Sequence, residues 1–429
     1  MTYKFIYTST KFALFILYLQ LYHLCDVNIS NHIRMETTLT AATAQSRMPA
    51  ALWALTISAF GIGTTEFVIV GLLPVIAKDL AVSIPSAGLL VSFYAIGVAI
   101  GAPILTALTA RIPRKQLLIS LMLLFIAGNT LAAFSQGYYL LIAARMLTGF
   151  AHGVFFSVGA TIAAAIVSPD KRASAIALMF AGLTIAMVTG VPLGTFIGQQ
   201  LGWRATFTGV AILGGIGLLA NLLLLPANIP HEATVNRKAQ FGVLSNKPLL
   251  LALLTTILSY AGVFLVFTYL SPLLTDLTHI PAGKVSIILL IYGVAVAIGN
   301  MAGGNLANKN PLRSLRYILI AEVAAMILFT FTVHQPVAAI INLFMIGGLS
   351  FATVPASQLY VVQTAEKAAP ATVNVASALN IAAFNAGAAI GAYVGGNIVA
   401  SVLGLGATPW IAAIFVLLAA GITMITFKK

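Results

Sequence analysis

The chain has 429 residues, of which 60% are hydrophobic and only 7% are charged; soluble domains carry roughly a quarter charged residues, so a soluble protein is excluded. Its net charge is +13, but the basic residues form short clusters between apolar blocks, a pattern that argues against nucleic-acid binding. The single cysteine, Cys25, excludes an internal disulfide framework and a cysteine-based metal cluster.

Residues 1–47 differ from the rest of the chain. They are rich in Tyr, Thr and Asn, and their one apolar stretch, Phe12–Leu24, is too short to cross a bilayer comfortably. Two lysines precede it, as in a signal peptide, but no small-residue cleavage site follows. We interpret this segment as a disordered extension or a mis-assigned start, with translation beginning at Met35 or Met48.

Twelve apolar blocks follow, each long enough to cross a bilayer, which takes about 20 helical residues. Helices satisfy their own backbone hydrogen bonds in lipid, so the sequence predicts an all-α integral membrane protein. The predicted spans, numbered 1 to 12, cover residues 51–76, 86–108, 116–134, 139–166, 174–200, 205–226, 248–273, 284–307, 314–333, 336–363, 372–402 and 408–427.

The connections between spans alternate in charge. One set holds most of the Lys and Arg residues, whereas the opposite set holds Lys78, Arg204 and Lys284. By the positive-inside rule, both ends of the twelve-span body are expected in the cytoplasm. The longest internal connection, residues 227–247, predicts a cytoplasmic linker between bundles of six helices at 48–226 and 248–429.

The two predicted bundles resemble each other in sequence. Tyr94–Gly101 in span 2 recurs as Tyr292–Gly299 in span 8, at an offset of 198 residues. At an offset of 197, the glycines of span 5 correspond to those of span 11; they are Gly190, Gly194 and Gly198, and Gly387, Gly391 and Gly395. Matches in the same order predict a parallel repeat about an axis along the membrane normal.

Three charged residues fall well inside the predicted spans: Glu66, Arg145 and Glu322. A charge left in lipid costs several kcal/mol, so each is a candidate functional residue. In span 4, Arg145 and His152 share one helical face with two glycines. Glu322 is close in sequence to the basic loop before span 9, which favours a side chain that snorkels to the membrane interface.

The functional interpretation of these charges is a proton site. In an apolar, partly wet cavity, desolvation raises the pKa of a carboxyl and a nearby cation lowers it. Together these two effects can set the pKa at which the carboxyl exchanges a proton. Glu66 is the expected carrier, Arg145 the tuning cation, and His152 a second relay. Two alternatives remain open: Arg145 as a structural clamp on backbone carbonyls, and His152 as a satisfied packing residue.

Two further sets of residues are candidates for transport. Glycines at every fourth residue let helices approach closely, and Pro192 can bend span 5, so we expect surfaces there that rock against one another. Amides and aromatic rings can orient a neutral or amphiphilic ligand in a cavity, although asparagine also serves as interhelical glue. The expected cavity residues are Tyr94, Asn129, Tyr260, Tyr269, Asn380, Phe384 and Asn385.

Three motifs resemble the major facilitator superfamily, within its twelve-helix drug–proton antiporter branch that includes arabinose- and sugar-efflux-like proteins. GTTEFVIVGLLP at Gly63–Pro74 is similar to the first-helix signature, with Glu66 at its acidic position. RMLTGFAHG at Arg145–Gly153 resembles the fourth-helix motif, whose arginine is implicated in proton coupling. GVPLGT at Gly190–Thr195 resembles the fifth-helix antiporter motif.

Departures from the family pattern affect the expected gating. Val191 separates a Gly-Pro pair that many members have adjacent, as in sugar-efflux-like variants. The loop motif after span 2 has Ala110 where the family has a gating aspartate, and its second copy has Asn308 there. The resemblance therefore implies gating through amides, backbone contacts and the basic residues that remain, which include Arg111, Arg114 and Lys309.

The resulting hypothesis is a proton-coupled exporter of sugars or drugs in the bacterial inner membrane, working by alternating access as a monomer. No divalent-metal cluster and no phosphate loop are evident, so we expect no cofactor and no enzymatic activity, with the proton gradient as driving force. The alternatives are a sugar or metabolite proton symporter and, less favoured, a transporter-like membrane sensor or a passive channel.

Overall fold

The computed structural model describes residues 49–109, 111–168, 171–227, 229, 246–368 and 373–426. These residues form twelve helices that are long and apolar enough to cross a membrane, which confirms the all-α, twelve-span prediction. The helices are α1 Ala50–Asp79, α2 Ile84–Leu105, α3 Arg114–Ala133, α4 Tyr138–Ala165, α5 Ser174–Leu201, α6 Trp203–Leu224, α7 Lys247–Phe267, α8 Ala282–Lys309, α9 Pro311–Thr332, α10 Pro336–Lys367, α11 Val375–Ala400 and α12 Leu405–Ile425.

The interpretation of residues 1–47 lies outside the described residues, as does that of most of the linker at 227–247. The division into bundles at 48–226 and 248–429 therefore stays a prediction. Below, the first six helices are α1–α6 and the last six are α7–α12. The basic end of the protein is the end at which Arg111, Arg114 and Lys309 lie, and the other is the opposite end.

Several helices begin with a capping side chain followed by proline. The side chain of Ser83 accepts a hydrogen bond from the Ser86 amide, and Asn310 accepts one from the Arg313 amide at 3.0 Å. Proline follows each cap within two residues, where its missing N–H costs no helical hydrogen bond. These local signals fix where the helices start at either end of the protein.

Three segments of π-helix lie near a proline. Segments of π-helix cover Gly101–Leu105 at the end of α2, Ala186–Gly190 within α5, and Leu273–Leu277 beyond α7. Pro103, Pro192 and Pro272 lie in or beside these segments, and a proline removes one intrahelical hydrogen bond. The predicted bend at Pro192 thus coincides with a widened helical turn.

Helix pairs in the two sets of six pack in the same register. A Cβ at Gly101 of α2 would meet Phe150 of α4, whereas a Cβ at Gly299 of α8 would meet Gly348 of α10. Both pairs are related by the 198-residue offset found in the sequence. The repeat therefore extends from α2 and α8 to their packing partners α4 and α10.

The first six helices meet the last six through α2 against α11, α5 against α8, and α1 against the segment that follows α7. Ser92 Oγ donates to the Ala389 carbonyl at 3.1 Å, and Gln199 Nε2 donates to the Ala282 carbonyl at 3.0 Å. Both hydrogen bonds lie in the half of the protein nearer the opposite end. The two sets also touch nearer the basic loops, where α11 contacts Gly101–Leu105 of α2, but these two hydrogen bonds lie on the side away from those loops.

Candidate functional site

The site begins with the carboxyl of Glu66, near the middle of α1, and the imidazole of His152, near the middle of α4. Glu66 Oε2 lies 3.8 Å from His152 Nδ1, and the two side chains are 12% and 6% exposed. This distance is within ion-pair range but longer than a hydrogen bond. Two of the three predicted proton-coupling residues are thus adjacent in the interior.

Arg145 of α4 completes the predicted set and is buried. Its Nη1 donates to the Thr65 carbonyl at 2.7 Å, which fixes α4 against α1 beside Glu66. Its Nη2 is buried and has no hydrogen-bond partner among the described residues. Arg145 therefore clamps a backbone carbonyl, as the structural alternative required, and keeps one N–H group for a further acceptor.

Tyr94 of α2 joins these residues into one group. Its hydroxyl lies 2.9 Å from His152 Nδ1, and the Arg145 guanidinium lies over its ring, 4.1 Å from the centroid. Cation–π contact of this kind stabilises a desolvated guanidinium. We call Glu66, Tyr94, Arg145 and His152 the polar cluster; Tyr94, expected to line the cavity, is a member of it.

Behind the polar cluster, α3 supports α1 through Asn129. The Thr65 hydroxyl donates to Asn129 Oδ1 at 2.7 Å, and Asn129 Nδ2 donates to the Phe125 carbonyl at 2.9 Å. Asn129 is fully buried, so it serves as interhelical glue and does not line a cavity. Thr65 was not singled out in the sequence, although it directly precedes Glu66.

Aromatic rings from both sets of helices meet next to the polar cluster. The Phe67 ring lies edge-on to Phe267 at 6.1 Å and to Phe351 at 6.3 Å between centroids. Phe267 in turn stacks with Tyr292 of α8 at 5.3 Å. We call these four residues the aromatic group. Sequence reasoning missed them, although the repeat of Tyr94 at Tyr292 was a signal for one of them.

The predicted cavity residues of α7 and α11 include an aromatic pair and a buried amide. Tyr260 and Phe384 form an edge-on pair with centroids 4.4 Å apart. Asn380 is fully buried; its Oδ1 accepts from Thr256 at 2.8 Å and its Nδ2 donates to Gln358 at 2.7 Å. Asn380 is therefore interhelical glue among α7, α10 and α11.

Tyr269 does not have the role expected of a cavity residue, whereas the expected role of Asn385 stays a prediction. Asn385 Nδ2 donates to the Ile381 carbonyl of its own helix at 3.0 Å, and the residue is 8% exposed. Tyr269 is fully buried, and its hydroxyl donates to the Ala392 carbonyl at 2.9 Å. The expectation that Tyr269 lines the cavity is wrong, because its ring packs between glycines of α2 and α11.

The glycine ladders also lie elsewhere than expected. Cβ atoms at Gly190 and Gly194 would contact Thr64 and Val68 of α1, and those at Gly387 and Gly391 would contact α7. These glycines, with the buried Pro192 beside Gly190, bring helices together within each set of six. The expectation that they form surfaces rocking between the two sets is wrong; α2, α5, α8 and α11 meet there through other residues.

The predicted gating residues lie at the basic end. Arg111 and Lys309 are exposed, and Arg114 at the start of α3 is partly buried. Glu322 in α9 is fully buried, and it accepts a hydrogen bond from Ser350 Oγ at 2.6 Å. The expectation that Glu322 snorkels to the interface is wrong, because it occupies the face of α9 turned towards α10.

The polar cluster combines a carboxyl, an imidazole, a phenol and a guanidinium within an apolar bundle. Groups of these types can hold and pass protons, and their low-dielectric surroundings strengthen each electrostatic contact. Among the described residues, no group of three or more His, Cys, Asp or Glu side chains could hold a metal ion. The polar cluster therefore contains side chains of the types that can bind and release a proton.

Comparison with known proteins agrees with the fold. The family model described as Major Facilitator Superfamily matches residues 55–376. The chain is 51% identical to an uncharacterized MFS-type transporter, YtbD, of Bacillus subtilis, over 87% of this chain and 93% of the relative. It is 40% identical to the inner membrane transport protein YdhP of Escherichia coli, over 88% and 96% of the two chains.

A third relative is the chloramphenicol resistance protein of Streptomyces lividans, which is 33% identical over 81% of this chain and 88% of the relative. These relatives are named for transport or drug resistance, so the chain is a multi-pass membrane transporter and not an enzyme. With its twelve helices and the motifs around Glu66 and Arg145, the chain belongs to the Major Facilitator Superfamily.

Proposed function

We propose that this transporter exports small amphiphilic molecules across the bacterial inner membrane in exchange for protons. The observation that carries the proposal is the polar cluster, in which Glu66 lies 3.8 Å from His152 beside the buried Arg145. Glu66 binds the exchanged proton, and His152 and Tyr94 stabilise the carboxyl in both of its forms. No cofactor is required, since the proton gradient supplies the free energy.

Arg145 links proton release to rearrangement in this scheme. Its Nη2 has no hydrogen-bond partner among the described residues. When Glu66 loses its proton, the new carboxylate attracts this free N–H, because a buried charge is stabilised by a paired, hydrogen-bonded countercharge. Motion of Glu66 towards Arg145 then changes the packing of α1 against α4, where Arg145 already holds the Thr65 carbonyl.

Alternating access is supported by where the two sets of six helices touch. The Gln199–Ala282 hydrogen bond and the packing of Tyr269 on Gly88 both lie near the opposite end. We propose that this conformation is the one open towards the basic end, with that end and both termini in the cytoplasm. Exchange follows if substrate and proton favour opposite conformations of the protein.

The aromatic group supports an amphiphilic substrate. It brings together rings from both sets of helices, and one of them, Phe67, directly follows Glu66 in the chain. Such a surface binds flat apolar groups and leaves orientation to a few polar side chains. Since one relative is named for chloramphenicol resistance, chloramphenicol is the first compound to test.

The test uses inside-out membrane vesicles from a bacterial strain that lacks its own exporters and overproduces this chain. After respiration has acidified the lumen, chloramphenicol is added and lumenal pH is followed with a fluorescent dye; a panel of amphiphilic antibiotics and sugars is run in parallel. We expect a transported compound to raise lumenal pH, because protons leave as the compound enters.

Glu66→Gln keeps the size of the side chain but cannot exchange a proton, so it should abolish the signal. Glu366→Gln is the matched control, since Glu366 is exposed near the end of α10. Full proton-driven uptake by Glu66→Gln would refute the proposal. Lumenal acidification would indicate the alternative of a symporter, and binding without any flux would indicate a sensor.

A further inference from the structure

Glu322 of α9 is a second buried carboxyl that the proposed exchange through Glu66 does not use. It is 0% exposed, and Ser350 Oγ of α10 donates to its Oε1 at 2.6 Å. Its Oε2 is buried and has no hydrogen-bond partner among the described residues. It also makes no ion pair with any of those residues.

The charged groups nearest in sequence are directed away from Glu322. Arg316 precedes it by six residues, about 9 Å along the helix axis, and its Nη2 donates to the Thr423 carbonyl of α12 at 2.7 Å. Tyr317 is 65% exposed on the outside of the bundle. In α10, Glu366 and Lys367 lie more than ten residues beyond Ser350, and α12 has no titratable residue within Leu405–Ile425.

The titratable groups that face Glu322 are two phenols. Tyr292 of α8 and Tyr260 of α7 both interact with it electrostatically. In α10, the Thr353 hydroxyl donates to the Ser350 carbonyl one turn away. Tyr292 belongs to the aromatic group, and Tyr260 packs on Phe384 beside it. The titratable neighbours of Glu322 are thus phenols whose rings pack with other aromatic rings of the bundle.

The internal repeat gives this arrangement a counterpart. At the 198-residue offset, Tyr292 corresponds to Tyr94 and Ser350 corresponds to His152. In the first six helices, Glu66 approaches His152 from α1; in the last six, Glu322 binds Ser350 from α9. In each set of helices, a carboxyl from another helix therefore approaches the same position of the repeated helix, α4 or α10; Glu66 is partly buried and Glu322 is fully buried.

We propose that Glu322 is a second proton-binding site, which carries a proton in this conformation and exchanges it with solvent. A buried, unpaired carboxylate costs far more free energy than a neutral acid with one unmet hydrogen bond, so the acid is the form that this packing fits. Because Ser350 Oγ donates to Oε1, the acid proton is on Oε2. Release breaks the Oε2–H bond, leaves its electron pair on the carboxylate, and transfers the proton to a water molecule.

The proposal extends the proton exchange proposed for Glu66 but rests on different residues, and its test requires no transport. Infrared difference spectra of the purified full-length protein in lipid would be recorded as the buffer is changed from acidic to alkaline. The carbonyl stretch of protonated carboxylic acids reports each buried acid, and its shift in heavy water reports exchange. We expect Glu66→Gln to retain one titrating, exchanging carboxyl band. We expect Glu322→Gln to lose that same band while it keeps any band that belongs to Glu66.

Ser350→Ala provides a second variant that keeps the carboxyl, and we expect it to move the same band to higher frequency, because the carbonyl oxygen loses its donor. Glu366→Gln should leave every band unchanged. The proposal is overturned if the band assigned by Ser350→Ala persists in alkaline buffer while the protein stays folded, or does not shift in heavy water. It is also overturned if Glu322→Gln removes no band.

Discussion

The two sets of six helices use equivalent positions for different chemistry. Around Tyr94, the first six helices group a carboxyl, an imidazole and a guanidinium. At the 198-residue offset, Tyr292 stacks on Phe267, Ser350 replaces His152, and the buried Leu343 replaces Arg145. The same backbone arrangement thus holds charged side chains around Tyr94 in the first six helices, and mainly aromatic and apolar ones around Tyr292 in the last six.

This difference shows what the repeat preserves. The glycines that let α2 approach α4, and α8 approach α10, occupy matching positions, because helix approach is a backbone property. The side chains at other positions of these helices differ between the two sets. The proposed exchange of protons for an amphiphile needs one surface for each, and the difference between Arg145 and Leu343 is consistent with that proposal.

The largest effect is expected from Arg145→Leu, which gives the first six helices the residue that the last six have at the equivalent position. Arg145→Leu removes the hydrogen bond to the Thr65 carbonyl and leaves Glu66 without its neighbouring cation. Breaking one partner of a buried charged group costs about 3–5 kcal/mol. We therefore expect loss of proton exchange in vesicles, together with a lower free energy of unfolding in mixed micelles.

The control for Arg145→Leu is Leu343→Met, which changes the equivalent residue of α10 without adding a charge. Volume-conserving apolar changes cost less than about 1.5 kcal/mol. We expect this variant to keep exchange and most of its stability. Exchange at the normal rate in Arg145→Leu would show that the guanidinium is not needed beside Glu66.

An intermediate effect is expected from removing the Asn380 amide, which joins helices of the last six. Asn380→Ala removes the hydrogen bonds to the buried Thr256 and the partly buried Gln358, and each of them loses that partner. Interhelical hydrogen bonds in membranes contribute about 0.6–2 kcal/mol each. We expect a lower melting temperature for the detergent-solubilised protein, measured by intrinsic fluorescence.

Asn129→Ala is the corresponding change in the first six helices, where one interhelical hydrogen bond, from Thr65, is lost. Its melting temperature should fall less than that of Asn380→Ala. The reverse order would mean that the site beside Glu66, and not the α7–α11 contact, limits the stability of the bundle.

The smallest effect is expected from removing a single hydroxyl. Tyr94→Phe keeps the ring beneath the Arg145 guanidinium but removes the partner of His152 Nδ1. A hydrogen bond contributes about 0.5–1.5 kcal/mol, so we expect the pH profile of exchange to shift with little loss of stability. Tyr292→Phe tests the equivalent hydroxyl, which faces Glu322, and should leave the His152 environment unchanged in a proton magnetic resonance titration.

Much of the fold follows from composition and local signals. Twelve long apolar blocks leave helices as the stable form, and Ser83 or Asn310 before proline locates helix starts within a few residues. The grouping of Glu66, Arg145 and His152 was also predictable, because isolated charges inside a span must find partners.

The direction that each side chain takes around its helix was not predictable. Glu322 lies near a basic loop in sequence, but its position on the helix turns it towards Ser350. Tyr269 looked like a cavity residue, but the break after α7 places it against glycines of α2 and α11. Such outcomes depend on which helices are neighbours, and apolar sequences with weak amphipathicity carry little information about that.

The contact between Tyr269 and Gly88 has a consequence for how the chain can vary. A methyl group at Gly88 would overlap the tyrosine hydroxyl, which is held by the Ala392 carbonyl and has Gly395 and Gly396 behind its ring. A side chain at position 88 therefore requires the Tyr269 hydroxyl to leave this position. If the protein alternates between two conformations as proposed, we expect a larger residue there to act against the one described here and to favour the other.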